Sequence, residues 1–146
     1  MAPTEMIEIR RVGSWDVNEI AGLYREGGWW RDEWDPQGLA DLIRGSFAFF
    51  VAVEPGGSAV GMGRVIADGV SDAYIQDLVV GSAYRGRGIG DRILGSCVTA
   101  CHEAGITWIA LIAEPDTERF YQSRGFVVME HYTPMKFGGD DHPCSQ

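Results

Sequence analysis

A glycine-rich hexapeptide at residues 85–90, Arg-Gly-Arg-Gly-Ile-Gly, constrains the fold of this chain more than any other feature. It follows an apolar run, residues 73–80, that is typical of a buried strand. It precedes residues 88–104, whose apolar spacing predicts a helix that stops at Gly105. A strand that turns through glycines into a helix belongs to structures in which helices cover a sheet, so the chain is expected to form an α/β fold.

The rest of the chain alternates between strand and helix patterns, and the two glycine-containing turns after residues 54 and 67 make three consecutive strands antiparallel. The predicted elements are strands at residues 6–12, 47–54, 59–67, 73–80, 107–113, 126–129 and 132–137, and helices that begin at Ser14, Asp35, Gly88 and Pro115. This order, β-α-α-β-β-β-α-β-α-β-β, predicts a mixed sheet with helices on both faces.

Composition predicts one domain, residues 1–137, followed by a loose polar tail at residues 138–146. The chain has 146 residues, of which 45% are hydrophobic, enough for a substantial core. No apolar run approaches the roughly 18 residues that cross a membrane. The first eight residues lack the basic and apolar regions of a signal peptide, so a cytoplasmic protein without membrane contact is expected.

Charge and cysteine content narrow the possible partners. The net charge of −9 argues against nucleic acid, because phosphates require clustered Lys and Arg. The same charge attracts cations and therefore suits a protonated amine substrate. Cys97 and Cys101 stand four apart on a predicted helix, but no partner lies at metal-ligand spacing, so we expect buried thiols and no metal site.

The hexapeptide has the chemistry of a phosphate site. A helix N-terminus carries unpaired amide N–H groups and partial positive charge, and glycine lets a diphosphate approach them. The alternative is a tight turn that is merely rich in glycine. Neither a nucleotide P-loop nor a dinucleotide fingerprint fits, because Ile89-Gly90-Asp91 replaces the required Gly-Lys-Ser/Thr and Asp91 replaces the required third glycine.

Two motifs together resemble the GNAT superfamily of acetyltransferases. One is Arg-x-x-Gly-x-Gly after Val79-Val80; the other is Phe-Tyr-x-x-x-Gly-Phe at residues 120–126. The resemblance covers about residues 7–137 and implies a GNAT fold whose fourth and fifth strands splay apart to admit the pantetheine arm of acetyl-CoA. The cofactor-binding residues that it implies are Leu78, Val79 and Val80 on the strand, and Arg85, Gly86, Arg87, Gly88, Ile89 and Gly90 in the loop.

The resemblance also implies catalytic residues. Tyr121 matches the position of the family's general acid, which donates a proton toward the leaving sulfur. The fourth-strand position where relatives often carry a glutamate base holds Tyr74 or Gln76 here. Glu114 and Asp77 are the remaining candidates for the base, although Asp77 reaches the site only if a bulge changes the pleat of its strand.

Residues 28–34, Gly-Trp-Trp-Arg-Asp-Glu-Trp, combine three tryptophans with two acids. Such a segment suits an amine pocket, in which Trp29, Trp30 and Asp32, together with Gln76, would bind substrate. It equally suits a dimer surface or a lid over the core, so a homodimer is one possibility. Residues 28–36, together with Met62-Gly63-Arg64-Val65 and Asp68-Gly69, resemble the branch of the superfamily that includes plant and cyanobacterial serotonin acetyltransferases.

Three functions are compatible with these features. The first is acetyl-CoA-dependent transfer of acetyl to a small primary amine by direct attack on the thioester. The second is acetylation of a protein or peptide. The third is a non-catalytic acyl-CoA-binding sensor, which would tolerate replacement of Tyr121.

Overall fold

A computed structural model describes residues 3–138 of the chain. The strands are β1 (Glu8–Arg11), β2 (Ala48–Val53), β3 (Ala59–Ala67), β4 (Asp72–Val80) and β5 (Trp108–Ala110). The helices are α1 (Val17–Glu26), α2 (Gly38–Gly45), α3 (Ile89–Glu103) and α4 (Glu118–Gln122). The sheet has the order β1-β2-β3-β4-β5, antiparallel except for the parallel pair β4–β5. The predicted mixed α/β fold is confirmed.

Helix starts differ slightly from those predicted. The carboxylate of Asp16, rather than Ser14, caps α1 by accepting from the backbone N–H groups of Asn18 and Glu19. The Asp35 side chain accepts from the N–H of Gln37, so the Asp-Pro pair forms a turn, and α2 begins at Gly38. Both shifts arise because a short polar side chain bonds local backbone in more than one geometry.

Two apolar layers sandwich the sheet. On one face α3 packs over the strands, with Ile93, Leu94 and Cys97 fully buried against Val65 and Ile75. On the other face α1 and α2 bury their apolar stripes against β2 and β3. The residues of this second layer include Ile20, Tyr24, Leu39, Ile43, Phe49, Val51, Met62 and Val79. Helices therefore cover both faces, as the element order predicts.

Strand β4 changes pleat at Asp77. Met62 pairs with Val79 and Arg64 pairs with Gln76, so Gly63 on β3 faces two residues of β4. Asp77 takes up the extra residue with a φ of 58°, which is uncommon outside glycine. The sequence analysis gave a bulge in β4 as the condition under which Asp77 could face the site. The structure contains this bulge.

Strands β4 and β5 separate after three paired positions, the last of which is Tyr74 with Ala110. The predicted range 107–113 for β5 is therefore too long, because residues 111–113 leave the ladder where the sheet opens. Beyond Tyr74, β4 continues for six more residues to Val80 with β3 alone beside it. The splayed fourth and fifth strands are thus present.

The two closing strands predicted at residues 126–129 and 132–137 are absent from the described chain. A turn at Glu130–His131 separates the two runs as expected, but neither pairs with another strand. Their apolar pattern is typical of strands, but within residues 3–138 neither run joins the sheet. The predicted loose tail lies outside the described residues, apart from Gly138.

None of the helices within residues 3–138 has the length and apolar character needed to cross a membrane. A cytoplasmic location stays a prediction.

Candidate active site

The loop before α3 has the backbone that a phosphate site requires. Gly86 and Gly88 adopt φ values of 77° and 78°, which disfavour any residue with a Cβ. Gly88 is also the N-cap of α3, and no side chain caps this end of the helix. The first-turn N–H groups of α3 consequently have no intrahelical partner and can bind an anion.

The two arginines of the loop lie in different places. The Nε of Arg85 donates to the carbonyl of Val80 at 2.8 Å, and its Nη2 is 3.7 Å from Glu26. The guanidinium of Arg87 lies over the Tyr84 ring, with its Cζ 5.8 Å from the ring centroid. Arg85 therefore fixes the loop to the end of β4, and the predicted contact of both arginines with phosphate stays a prediction.

The end of β4 offers backbone to the gap and buries its side chains. Leu78 and Val80 pack toward the α3 layer, whereas Val79 packs into the opposite layer. The strand edge of residues 75–80 has β3 on one side and lies beyond the paired part of β5 on the other. An extended chain can add to an edge of this kind, and the role of Leu78, Val79 and Val80 in holding pantetheine stays a prediction.

Helix α4 packs against the first turn of α3. The ring of Phe120 faces Gly90, where an added Cβ would lie 3.7 Å from the ring and 3.6 Å from Val80. Arg124, at the end of the same segment, forms an ion pair with Asp91 in the first turn of α3. These two contacts attach the segment that carries Tyr121 to the glycine loop.

Tyr121 is half-buried between aromatic neighbours. Its ring centroid is 5.1 Å from that of Phe120 and 5.9 Å from that of Phe126, both in edge-on geometry. Burial raises the pKa of Tyr121 to about 12, and the nearby Glu114 carboxylate adds to the shift. The phenol therefore stays protonated at neutral pH and is a hydrogen-bond donor.

Glu114 and Trp29 meet across the open end of the gap. The indole Nε1 of Trp29 donates to Oε1 of Glu114 at 3.0 Å, although the two residues are 85 positions apart. Gly27 makes room for this indole, because a Cβ there would lie 2.7 Å from the ring. The structure thus joins two predicted site residues, Trp29 and Glu114, and the charge of Glu114 acts on a third, Tyr121.

Asp77 lies in a different environment. Its carboxylate is buried and accepts from the Tyr24 hydroxyl at 2.8 Å and from Nε of Arg64 at 2.6 Å. Arg64 is also buried, and its Nη1 lies 3.5 Å from the Ser46 hydroxyl. The sequence analysis missed Tyr24 and Arg64 as partners. A single arginine inside the otherwise apolar β3 was the available signal, since a buried charge needs a counter-ion.

The other predicted substrate residues are dispersed. Trp30 packs against the α1–α2 layer, with its ring 5.5 Å from Trp34 and 6.4 Å from Tyr24. Asp32 is exposed and forms an ion pair with Arg25 at 3.1 Å. Gln76 is half-buried on β4 opposite Arg64. The structure brings Trp30 near Trp29 through Tyr24, and it places Asp32 on the outer surface.

Cys97 and Cys101 are buried free thiols, as expected. Burial raises the pKa of Cys97 to about 12, so it does not supply a thiolate nucleophile near neutral pH. Among residues 3–138, no group of three or more His, Cys, Asp or Glu side chains is arranged to hold a metal ion.

Comparison with known proteins places this geometry in a family. The model of the acetyltransferase (GNAT) domain matches residues 24–137. The solved structure of a GNAT-family acetyltransferase from Streptococcus pneumoniae TIGR4 superposes with a TM-score of 0.76 at 26% identity, covering 93% of this chain and 100% of that one. A probable acetyltransferase from Staphylococcus aureus, at 19% identity and a TM-score of 0.78, shares the fold over 92% of this chain and 100% of its own.

Curated relatives match a shorter region. Serotonin N-acetyltransferase 2, chloroplastic, from Oryza sativa is 35% identical over 72 residues, which are 49% of this chain and 36% of the rice protein. An uncharacterized N-acetyltransferase, ycf52, from Pyropia yezoensis is 34% identical over 68 residues, 47% of this chain and 39% of its own length. The matched regions therefore span less than two fifths of these relatives. With a family model that covers most of the chain and a fold that agrees, this protein belongs to the GNAT acetyltransferase family.

Proposed function

We propose that this protein is an acetyl-CoA-dependent N-acetyltransferase that acts on a small primary amine. The observation that carries the proposal is the hydrogen bond by which the Trp29 indole holds the Glu114 carboxylate just after the opening of β4 from β5, with the charge of Glu114 acting on the protonated Tyr121. An aromatic surface, a carboxylate and a phenol are the groups that a cationic amine and a thioester require.

The chain's own residues would hold the acetyl donor through backbone. The α3 N-terminus and the loop of residues 85–90 suit the pyrophosphate, and the edge of β4 at residues 78–80 suits the pantetheine. Glycines at positive φ and side chains turned into the two cores leave these backbone groups accessible.

Charge favours a cationic acceptor over an anionic one. Glu114 stands at the gap, within a chain of net charge −9. A probable glucosamine 6-phosphate N-acetyltransferase from Oryza sativa is 33% identical over 64 residues, 44% of this chain and 39% of the rice protein. A sugar phosphate, however, requires a cationic pocket. The likeness to the rice serotonin acetyltransferase supports an aromatic amine, which the Trp29 ring suits by stacking.

Glu114 is the proposed general base and Tyr121 the proposed acid. Glu114 takes a proton from the ammonium, and the neutral amine then attacks the thioester carbonyl, forming the C–N bond as the C–S bond breaks. Tyr121 donates a hydrogen bond to the leaving sulfur. Because the pKa of Tyr121 is raised to about 12, above the roughly 8.5 of a thiol, the phenol stabilises the thiolate while keeping most of its proton. Glu114 passes that first proton to solvent and then accepts the second proton from the nitrogen of the adduct as the C–S bond breaks. The thiolate takes one proton from solvent, so the ammonium and the thioester give the amide, the free thiol and one released proton.

Asp77 has a positioning role in this proposal. Its carboxylate is buried and bonded to Tyr24 and Arg64, so an amine cannot reach it without breaking the ion pair. The same bonds hold the bulge in β4 in place. Beyond the bulge, β4 presents its backbone to the gap. We assign Asp77 to the shape of the donor site and the proton transfer to Glu114.

Acetylation of a protein or peptide is the second candidate, and an acyl-CoA sensor without catalysis is the third. The half-buried Trp29–Glu114 pair favours a small acceptor, because one indole and one carboxylate suit a single ammonium group. The raised pKa of Tyr121 keeps a proton donor on α4, which favours catalysis over a sensor.

A thiol-release assay with acetyl-CoA tests the proposal across tryptamines, polyamines, aminosugars and peptides. We expect release with small primary amines, strongest with an aryl-substituted one, and loss of about two orders of magnitude in Glu114→Gln. The matched control is Glu118→Gln in α4, an exposed acid four residues along the chain. Turnover with peptides alone would contradict the proposed acceptor, and failure to bind acetyl-CoA would contradict the whole function.

A further inference from the structure

The end of α3 that suits a phosphate also carries an acid. Asp91 lies in the first turn of this helix, just after the N-cap Gly88. An acid at this position stabilises a helix, because the N-terminus carries partial positive charge. The same acid is unfavourable for the proposed donor, because a diphosphate at this end of the helix and a carboxylate in the first turn repel each other. Folding and donor binding therefore place opposite demands on Asp91.

An arginine from a distant part of the chain offsets this acid. The Nε of Arg124 forms an ion pair with the Asp91 carboxylate, although the two residues are 33 positions apart. The guanidinium also lies over the Phe120 ring, with its Cζ 6.0 Å from the ring centroid. Its Nη1 donates to the Ser123 hydroxyl at 3.3 Å and to the Ser123 carbonyl at 3.4 Å. These contacts hold the charge of Arg124 next to Asp91.

The pair is too exposed to contribute much to the stability of the fold. The Arg124 and Asp91 side chains are 42 and 39% exposed. Exposed ion pairs add little to the free energy of unfolding, since water screens them and both side chains lose freedom. A charge in the first turn nevertheless acts on an anion at the helix end, because one turn rises about 5.4 Å and the Debye length at physiological salt is about 8 Å. The pair should therefore affect a bound anion more than it affects the fold.

The other side of the donor loop has a similar arrangement. Glu26, at the end of α1, accepts from the N–H of Ser82 at 2.6 Å, and the Nη2 of Arg85 lies 3.7 Å from its carboxylate. Glu26 and Asp91 thus each have an arginine beside them. The chain as a whole repels anions, since its net charge is −9. Local neutralisation of the acids beside the loop is what a diphosphate then requires.

We propose that Arg124 sets the affinity for the acyl-CoA donor by neutralising Asp91, so that the first turn of α3 can bind the diphosphate. Arg124 acts through Asp91 and is a positioning residue of the donor site. The inference rests on the proposed acetyl-CoA donor. It does not depend on the identity of the amine, because neither residue belongs to the Trp29–Glu114 pair.

A double-mutant cycle in the full chain tests the proposal, with the Kd for acetyl-CoA measured by calorimetric titration at low salt. We expect Arg124→Gln to weaken binding about tenfold, because the charge of Asp91 is then unbalanced. Asp91→Asn should bind acetyl-CoA at least as tightly as the unmodified protein, and the double variant should bind like Asp91→Asn. Arg119→Gln is the matched control, since it removes the same charge from an exposed position of α4. Its Kd should not change.

Two results of the cycle would overturn the proposal. If Asp91→Asn weakened binding as much as Arg124→Gln, the pair would be only a tether between α4 and α3. If the double variant bound as weakly as Arg124→Gln, Arg124 would contact the phosphate itself. Salt provides a further readout, because the difference between Arg124→Gln and the double variant should shrink several-fold at about 0.5 M salt. A difference that salt does not change would also contradict the proposal.

These outcomes differ from those that test the proposed function. Normal binding of acetyl-CoA without turnover of any amine would contradict the acetyltransferase activity, and the cycle would still decide the role of Arg124. An unmodified protein that does not bind acetyl-CoA would contradict both.

Discussion

The donor side and the acceptor side of the gap are built in different ways. The donor side is local, because six consecutive residues and the first turn of α3 provide its backbone groups. The acceptor side is assembled from distant residues, since its hydrogen bond joins Trp29 to Glu114 across 85 positions. A donor site of this kind is specified by glycine and turn geometry, whereas the acceptor site depends on how the whole sheet folds. Substitutions should therefore affect the two sides differently.

The largest effect should come from the buried ion pair. Asp77→Asn removes the counter-ion of Arg64 and should lower the free energy of unfolding by about 3–5 kcal/mol, because a buried guanidinium is left without that charge. Urea denaturation measures the change, and Arg64→Met should destabilise the fold to a similar extent. If Asp77→Asn instead kept full stability and lost turnover alone, Asp77 would be the base, and Glu114 would lose that assignment.

Tyr121→Phe should lower kcat by about 10²-fold and leave the Kd for acetyl-CoA and the melting temperature unchanged. The ring contacts with Phe120 and Phe126 survive in the variant, so the loss would report the hydroxyl alone. Steady-state kinetics together with calorimetric titration of acetyl-CoA separate the two effects. A variant with normal kcat would favour the sensor function.

The pH profile sharpens the same assignment. The proposed mechanism needs the protonated phenol. Its pKa is raised to about 12, so this form persists about two pH units further than in an ordinary tyrosine. We expect kcat to stay level from pH 9 to 10.5. A fall centred near pH 10 that disappears in Tyr121→Phe would show that burial does not protect the phenol.

Gly88→Ala should weaken acetyl-CoA binding by about tenfold, because a residue with a Cβ is strained at a φ of 78° and obstructs the anion. Gly105→Ala at the other end of α3 is the matched control. It has a φ of 82° and should cost similar stability without changing the Kd. Equal losses of affinity in both variants would mean that the loop acts only as a turn.

The smallest effect should come from Trp29→Phe, which keeps an aromatic ring and removes the indole donor to Glu114. Loss of one hydrogen bond to a charged group is worth about 1.5–3 kcal/mol at most, and less where water replaces it. We expect kcat/KM for the amine to fall several-fold and the Kd for acetyl-CoA to stay constant. A change in the Kd would show that the two sides are coupled.

The same contrast explains what the sequence predicts. The order of the first nine elements and the glycine loop follow from apolar period and turn chemistry, which are local. Trp29 and Glu114 were each named as candidates, but their contact depends on the opening of β4 from β5. The partners of Asp77 were missed because a bulge decides which face a side chain takes, and one residue of register is invisible to an alternation pattern. The prediction of the two closing strands was wrong for a further reason. An apolar alternation indicates that a segment favours pairing, but it does not identify the edge with which the segment pairs.

The bulge at Asp77 also limits how β4 can change its length. Ala73 and Ile75 point to the α3 layer, as do Leu78 and Val80 beyond the bulge, so the two halves of the strand follow opposite alternations. Deletion of the residue at position 77 would make Leu78 follow Gln76 directly and restore one continuous alternation, with Val79 still toward α1 and Val80 still toward α3. The two cores would keep their side chains, and the change would fall on Arg64, which would lose the carboxylate that balances its buried charge. The extra residue of β4 therefore places an acid beside Arg64, and the length of this strand is tied to that ion pair.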